Sequence, residues 1–500
     1  MKLLNTGLLI LTLLYSLTTN ALTKDEFMSR LQEHYEDTSR IQHYTITFRK
    51  SSSFGPQSYD FNHPTKAYRQ QTTDVDLAKQ NFFTQTKRGG FPGGFLFETN
   101  EYQNDVQSVR YDVNGVLYGK QVFSRDEKAF EREVEEIDSI VGFFAVKPLI
   151  ENSMKELKIN FKDGKSKTIV SQFISPTSNS TKTISGSKIE RIDYVFRNEP
   201  IQLLSIHHYS GDENQPFAEL HYKNYSNINN FEIASQVEGK RFNRPFQYTI
   251  KNFAKISGIE DEKLKIPSGY GLVIERIANE LSFEKITKDI YIIGNVNFDR
   301  NVLVKVNNNG LRVFGAPGSD KVSESVINLL EKFFPQKIIK SVYITHPHSD
   351  HIRGLRAYSN RNIPILADAY SIDAIKAFPG FKQDIGSFRF RTIKHKEVLE
   401  GMQFHIPKNS HAKGQSFVYF IDSKILYEGD FLEIPFDNTI ASYMSTVEKE
   451  FVEYLRKEAL KIERIVGHYR NGDISLEVMN NYYEANAISK IQSNNDVSNR

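Results

Sequence analysis

The stretch THPHSDHIRGL (residues 345–355) decides how the C-terminal half of this chain is interpreted. His346, His348, Asp350 and His351 fall within six consecutive positions, although the chain has only 13 histidines in 500 residues. Residues i and i+2 of an extended chain point to the same side, so His346 and His348 can reach one ion. Imidazole and carboxylate groups are common ligands of zinc, iron and manganese. The pattern therefore predicts a metal site.

Three more residues of the same chemical types each lie close to a predicted strand. The ligands of the stretch 345–355 follow the apolar strand 338–344. Because Pro347 interrupts strand pairing, they are expected on a loop. His411 lies in PKNSHAKGQSF, Asp430 in ILYEGDFLEIP and His468 in RIVGHYRNG. We expect these loops to meet at one edge of a layered sheet.

In this order, the motifs resemble the metallo-β-lactamase superfamily, and the resemblance extends over the C-terminal half. It implies an αββα sandwich with the metal site at the sheet edges. It also implies that His346, His348 and His411 bind one ion and that Asp350, His351 and His468 bind a second ion. Asp430 would bridge the two ions. The implied cofactors are two divalent cations, with zinc as the first choice and iron or manganese as alternatives.

The sequence departs from the superfamily pattern at three positions that are not ligands. Members often continue D-H-x-G-G, but Arg353 replaces the first glycine. Members often carry an aspartate where this chain has Gly315, in VFGAPGSD, a change expected to weaken support of the metal loop. Glu433, three residues after Asp430, cannot donate a hydrogen bond when ionised, unlike the tyrosine or lysine of some members.

The resemblance implies a hydrolase in which a hydroxide held between two cations attacks an ester, lactone, thioester or amide, including a lactam. Asp350 is the candidate catalytic residue, because it can ligate an ion and orient the nucleophile. Arg353, Tyr469 and Arg470 are candidate substrate contacts, with plain surface loop residues as the alternative. His395 and His405 lie outside the motif and are expected to be structural or solvated.

Two other functions remain open from the sequence. One is a phosphodiesterase of the same fold, and the other is a non-catalytic binding or carrier protein with a residual metal site. Seven ligands over two ions disfavour the second, because structural zinc sites are normally closed by four ligands. Lactamases with a cysteine ligand are excluded, since the chain has no cysteine.

The N-terminus has the pattern of a secretory signal. Lys2 precedes an apolar run over residues 8–17, and Thr19-Asn20-Ala21 forms a small-x-small cleavage site. The run is shorter than the ~20 residues of a membrane span. We predict an exported protein, periplasmic or secreted, that is cleaved after Ala21 and keeps no transmembrane segment.

The predicted organisation is a signal peptide (1–21), a β-rich antiparallel α+β accessory domain (22–282), an α/β metallo-β-lactamase-like domain (283–490) and a polar tail (491–500). In the accessory domain, alternation over residues 192–197, 218–222 and 246–250 predicts half-buried strands. A capping-box pattern at Ser124 and Glu127, followed at helical spacing by Phe130, Val134, Ile137 and Val141, predicts a helix. The stretch FAELHYKNYSNINNFEIASQVEG resembles a late strand pair of periplasmic half-barrel carriers of lipoproteins.

Two further features of the accessory domain raise alternatives. The segment TKRGGFPGGFLF (86–97) is either a mobile hairpin tip or an apolar lid over the metal site. His207 and His208 are adjacent on a predicted strand, so they face opposite sides and do not form a ligand pair.

Composition limits the partners. The formal net charge is +3, which gives no electrostatic reason to bind nucleic acid. A small-molecule substrate is the expected partner, and the oligomeric state is left open. The absence of cysteine means that an exported fold must be stable without disulfides, which a chain of this length allows.

Overall fold

The structure is a computed structural model. It describes residues 22–151, 157–162, 166–174, 183–184, 187–210, 215–242, 244–271, 273–274 and 280–498. The predicted signal peptide lies outside the described residues.

The helices of the described residues are α1 (Lys24–Ser39), α2 (Ala129–Ile140), α3 (Gly142–Ala145), α4 (Lys147–Glu151), α5 (Asp320–Phe333), α6 (Ser349–Ile352), α7 (Leu355–Ser359), α8 (Ala369–Ala377), α9 (Thr446–Glu458) and α10 (Leu476–Ser498). None of these helices is long and apolar enough to cross a membrane. Helix α10 continues as far as Ser498, into the segment expected to be a polar tail.

The strands of the first 280 residues, within the described ranges, are β1 (His43–Phe54), β2 (Thr65–Asp76), β3 (Asn81–Gly89), β4 (Phe97–Gln103), β5 (Ser108–Asp112), β6 (Val122–Ser124), β7 (Leu157–Lys162), β8 (Lys167–Phe173), β9 (Thr183–Ile184), β10 (Ser187–Lys188), β11 (Arg191–Asn198), β12 (Ile201–Tyr209), β13 (Ala218–Ile228), β14 (Phe231–Arg241), β15 (Arg244–Lys255) and β16 (Val273–Ile274). Those that follow are β17 (Ser282–Lys285), β18 (Ile290–Val296), β19 (Arg300–Asn307), β20 (Gly310–Phe314), β21 (Ile339–Tyr343), β22 (Ile365–Ala367), β23 (Phe390–Thr392), β24 (Val398–Leu399), β25 (Met402–His405), β26 (Phe417–Phe420), β27 (Ile425–Glu428) and β28 (Arg464–Gly467).

The chain divides into two compact units. The first unit combines the residues up to Arg40 with Gly142–Tyr222, and the second combines Ile41–Val141 with Lys223–Arg500. The predicted boundary at residue 282 therefore lies inside the second unit. Much of the predicted accessory domain belongs to the same compact unit as the C-terminal half.

The first unit is a helix packed with an antiparallel sheet. Strands β7, β8, β11 and β12 pair in that order, and the first residues of β13 add to β12. Helix α1 begins at Thr23, whose side chain accepts from the backbone N–H of Glu26 in a complete capping box. Phe27 of this helix is buried edge-on against Phe196, with ring centroids 5.6 Å apart. Burial of aromatic surface is therefore what joins helix and sheet.

In the second unit, nine strands pair in the order β16-β6-β5-β4-β3-β2-β1-β15-β14. All pairs are antiparallel except β16 with β6. The helix predicted from Phe130, Val134 and Ile137 is observed as α2, but its predicted start was wrong, because Ser124 ends β6 and α2 begins at Ala129. Strand pairing with β5 outweighs the local capping pattern there.

The C-terminal half forms two further sheets that pack face to face. One has the order β17-β18-β19-β20-β21-β22-β23 and the other β24-β25-β26-β27-β28. Their inner faces share one buried cluster, in which Tyr343 meets Phe404 at 5.4 Å and Phe314 meets Phe420 at 5.1 Å between ring centroids. Such a mixed aromatic layer between two sheets is the centre of a sandwich.

Helices cover the two outer faces of this sandwich. Val326 and Leu330 of α5 are buried on the first sheet, and Phe451 of α9 packs on Phe417 of the second at 5.5 Å. The order of layers is therefore helix, sheet, sheet, helix. The predicted fold class, an α/β αββα sandwich with a β-rich N-terminal region, is confirmed.

Candidate metal centre

The predicted ligands lie where strands of the two packed sheets end. His346 and His348 follow β21, and Asp350 and His351 belong to the short helix α6 directly behind them. His411 lies between β25 and β26, while Asp430 and His468 follow β27 and β28. The chain thus brings residues together that are up to 122 positions apart in sequence.

Four of the ligands form a compact group. His346, His348, His411 and Asp430 each offer a ligand atom, and these atoms all lie within 4.8 Å of one another. The Nε2 atoms of His346 and His411 are 3.3 Å apart. Asp430 Oδ2 lies 3.6 Å from the first and 3.3 Å from the second. One cation could contact all of these atoms.

The other three predicted ligands are grouped around His351, which lies beside the second oxygen of Asp430. His351 Nε2 is 3.0 Å from Asp430 Oδ1 and 3.8 Å from Asp350 Oδ2. The rings of His351 and His468 are 4.5 Å apart between centroids. Asp430 therefore has Oδ2 near His346 and His411, and Oδ1 near His351.

The donor set fits divalent cations. Two buried ligand atoms, His348 Nδ1 and His468 Nε2, make no hydrogen bond to any described residue. Leaving buried polar atoms unsatisfied is costly, so such a concentration points to an ion. Asp430 also adopts a left-handed backbone conformation, φ 62°, which non-glycine residues hold mainly where the surrounding structure imposes it.

The electrostatics of the group suit metal binding. Burial, together with the neighbouring histidines, lowers the pKa of His346 to about 3 and holds the pKa of His348 well below its usual range. Burial opposes the charge on Asp430, but His351 and His346 outweigh it and lower the pKa of that carboxyl. Neutral imidazoles and an ionised carboxylate are the forms that coordinate a cation. Burial opposes the charge on His351, but Asp430 and Asp350 outweigh it and raise the pKa of that imidazole.

Outer hydrogen bonds fix two of the rings. Thr345 Oγ1 lies 3.1 Å from His346 Nδ1, and Tyr427 Oη lies 2.8 Å from His468 Nδ1. Gly315, at the superfamily's aspartate position, has φ 107°, and a Cβ there would lie 2.7 Å from Tyr427 Oη. Tyr427 thus supports His468 from the space that a side chain at position 315 would need.

Two loops of the N-terminal half reach the same ligands. The Ser58 carbonyl oxygen lies 3.2 Å from His348 Nε2, and the Pro92 carbonyl oxygen lies 3.2 Å from His411 Nδ1. The Phe95 ring meets His411 edge-on at 5.5 Å. Of the two interpretations of segment 86–97, the structure favours the apolar lid, because Pro92–Gly94 forms a turn against a ligand.

The lid has a strict local requirement for glycine. Gly93 has φ 81° and donates its N–H to the Ser410 carbonyl at 2.8 Å. A Cβ at Gly93 would lie 2.8 Å from Val447 Cγ1 and 3.1 Å from His411 Cβ. The glycines visible in the sequence were the only signal for this contact.

Asp350 is held by three residues from different parts of the chain. Gln57 Nε2 donates to Asp350 Oδ1 at 2.6 Å, and Tyr469 Oη donates to Oδ2. Arg300 lies 3.5 Å from Oδ2 and 4.7 Å above the Tyr469 ring. His351 and Arg300 outweigh the burial that opposes the charge, so the pKa of Asp350 is lowered. Gln57 and Arg300 carried no recognisable motif in the sequence.

The three candidate substrate contacts have different surroundings. Tyr469 lies at the site through its bond to Asp350, whereas Arg353 is exposed at the end of α6. Arg470 is buried and ion-paired with Glu433, and it lies 3.6 Å from Asp299. The carboxylates of Glu433 and Asp299 therefore occupy the Arg470 guanidinium. The Glu433 side chain is in turn occupied by Arg470.

The two histidines outside the motif have structural partners. His405 is buried and stacked on Phe417 at 4.7 Å, with Nδ1 2.9 Å from Tyr454 Oη. His395 Nδ1 accepts from the Ile406 N–H at 3.0 Å. Neither contacts the ligand group.

Comparison with known proteins gives matches to metallo-β-lactamases. No family model matches the chain. A type 2 metallo-beta-lactamase of Bacillus sp. (strain 170) is 24% identical over 215 residues, which are 41% of this chain and 82% of that protein. The type 2 metallo-beta-lactamase of Bacillus cereus is 22% identical over 212 residues, 41% of this chain and 78% of that protein.

Solved structures give partial overlaps. A metallo-beta-lactamase from Pontibacter korlensis overlaps 42% of this chain and 99% of its own, with 14% identity and a TM-score of 0.35. One from Hirschia baltica overlaps 42% of this chain and 98% of its own, with 13% identity and a TM-score of 0.34. With TM-scores this low, the structural matches add no evidence about the fold beyond the layers described above.

The matches in sequence and the converging ligands agree with each other. Two curated relatives match over most of their own length, and a cluster of histidines with an aspartate occupies the sheet edge. The sequence matches and the converging ligands together support the metallo-β-lactamase superfamily for the C-terminal half, with the site of a metal-dependent hydrolase.

Proposed function

We propose that this protein is an exported hydrolase that uses two divalent cations, zinc first, to cleave an ester, lactone, thioester or amide bond. The observation that carries the proposal is the placement of Asp430 between two histidine groups, with its two oxygens facing different groups. A bridging carboxylate balances two neighbouring cations, which a single closed structural site does not need.

His346, His348 and His411 would hold one cation, and Asp350, His351 and His468 the other, with Asp430 shared. Two cations there would supply a water made acidic enough to ionise near pH ~7 and would polarise a substrate oxygen. Asp350 is fixed from two directions by Gln57 and Tyr469, so its carboxylate can hold a proton or orient a nucleophile at one defined position.

The walls of the site bear on the substrate. The lid places the Phe95 ring, which is 6% exposed, beside His411. Glu433 is paired with Arg470, so that position supplies no donor to a substrate oxygen. We therefore expect the substrate to be an acyl compound whose carbonyl is stabilised mainly by the cations.

Export rests on the sequence of residues 1–21. Intact-mass measurement of protein recovered from the producing cell should show a chain that begins at Leu22. A recovered protein that retains Met1 would contradict export through this segment.

The catalytic part is tested with purified protein loaded with zinc, iron or manganese. Turnover is measured on nitrocefin, a lactone, a thioester and bis-nitrophenyl phosphate. Asp350→Ala should abolish hydrolysis, while the matched control Asp373→Ala, at an exposed position of α8, should keep it. Turnover of only the phosphate diester would establish the phosphodiesterase instead. A protein that binds both metals but cleaves none of the four would favour the carrier.

The metal count has its own test. Asp430→Asn should lower occupancy of the second cation more than the first, because the second has two histidines rather than three. Equal occupancy of both positions in that variant would contradict the bridging role.

A further inference from the structure

A second group of metal-ligand side chains lies in the first unit, apart from the site described above. His207 on β12 is directly opposite Glu219 on β13, and His221 is two residues farther along β13. Directly opposed residues of antiparallel strands share a face, and so do residues i and i+2. The sheet register therefore places all three side chains on one face.

The side chains converge as well as sharing a face. Each of the three offers a ligand atom, and these atoms all lie within 4.8 Å of one another. The His207 and His221 rings are 5.7 Å apart between centroids. His221 Nε2 lies 3.4 Å from Glu219 Oε2. Side-chain rotations of the kind that partly exposed residues undergo freely would bring the atoms to ~2.0–2.2 Å from one ion.

One buried nitrogen of the group lacks a hydrogen-bond partner among the described residues. His207 Nε2 is buried and makes no hydrogen bond to any described residue. An ordinary surface ion pair would not explain it, since the Glu219 carboxylate is directed to His221. A cation would satisfy this nitrogen while also using the other two groups.

Accessibility distinguishes this group from a closed structural site. The side chains of His221 and Glu219 are 41% and 25% exposed. Asp193, opposite His207 on β11, lies 3.4 Å from Arg191 and is therefore not counted as a ligand. Three protein ligands then leave at least one coordination position open to water or to an external group.

We propose that His207, Glu219 and His221 form a separate binding site for a single divalent cation of the zinc class. Two imidazoles and one carboxylate suit Zn²⁺, Fe²⁺, Ni²⁺ or Cu²⁺ better than Mg²⁺ or Ca²⁺, which take mainly oxygen ligands. His208, on the opposite face of β12, takes no part. The sequence concealed the site, because its residues come from two strands and the visible pair His207-His208 is not the ligand pair.

The test counts tightly bound Zn²⁺ on the full chain by titration against a chromophoric chelator. His221→Ala and His207→Ala should each bind one equivalent fewer than the unaltered protein. Glu219→Gln, which keeps the shape and removes the charge, should also weaken that equivalent. The matched control His208→Ala should bind the same number as the unaltered protein. Circular dichroism verifies that each variant is folded.

The readout is a difference of one equivalent, so it does not depend on how many ions the hydrolase centre holds. Equal counts in the unaltered protein and in folded His221→Ala and His207→Ala would overturn the proposal. Loss of the same equivalent in His208→Ala would overturn it too, because binding would not follow the face of the sheet. Any variant that fails to fold is replaced by the corresponding glutamine substitution, to which the same two criteria apply.

Discussion

Gln57 offers the sharpest test of how the N-terminal half contributes to the metal centre. Its Nε2 atom donates to Asp350 Oδ1 at 2.6 Å and lies 3.2 Å from Ser349 Oγ, 293 and 292 residues away along the chain. The substitution Gln57→Ala removes this donor and leaves the other contacts of the aspartate in place.

The expected size follows from the kind of bond that is lost. A hydrogen bond to a charged group contributes about 1.5–3 kcal/mol. Since about 1.4 kcal/mol corresponds to a tenfold change, the second cation should bind about 10- to 100-fold more weakly, the range typical of outer partners of metal ligands. The first cation should be little affected, because Gln57 does not contact His346 or His411 in the structure.

The assay is stepwise Zn²⁺ competition with a chelator, which resolves the two affinities. Gln247→Ala is the matched control, since Gln247 is an exposed glutamine of β15 in the same unit. It should behave as the unaltered protein does. The reasoning would be refuted by a Gln57→Ala protein whose second affinity is unchanged, or whose two affinities fall equally.

Three further outcomes are expected. Tyr427→Phe removes the hydroxyl at 2.8 Å from His468 Nδ1, so the second cation should bind about 10-fold more weakly in the same competition assay. Gly315→Ala should lower the free energy of unfolding by about 1–3 kcal/mol in urea, because φ is 107° and the Cβ would meet Tyr427 Oη; an unchanged value would show that the loop adapts. Burial raises the pKa of Glu133 to about 7 from 4.5, so the stability due to its protonated form is complete below pH 4.5 and lost as the pH rises through 7. The free energy of unfolding of the unaltered protein should therefore fall by at most about 3 kcal/mol between those pH values. Glu133→Gln should lack this fall when urea unfolding is measured across the range. The same pH dependence in both proteins would contradict this.

Much of the C-terminal domain could be predicted from local patterns. The ligand motif 345–355 follows a strand that the apolar run 338–344 had indicated, observed as β21. The helix with Val447 and Phe451 on one face begins at a capping box, Ser445 with Glu448, and packs as α9. Period and capping are properties of neighbouring residues, so one sequence carries them.

The structure of the N-terminal half was harder to predict, because its important contacts join residues that are distant in sequence. The helix expected at Ser124 begins at Ala129, since pairing of β6 with β5 claims the residues before it. The register of β12 with β13 is set by tertiary structure, and that register alone places His207 opposite Glu219.

By itself the sequence indicated alternating strands and helices and a metal motif at residues 345–351. Through the resemblance of four short stretches to the metallo-β-lactamase superfamily, it also implied the sandwich fold and seven candidate ligands in order. Only the tertiary structure decided that Gln57, Pro92 and Tyr427 support those ligands. Hydrogen bonds act over about 3 Å in space whatever the separation along the chain. A glutamine with no local pattern therefore becomes recognisable only when folding places it beside its aspartate.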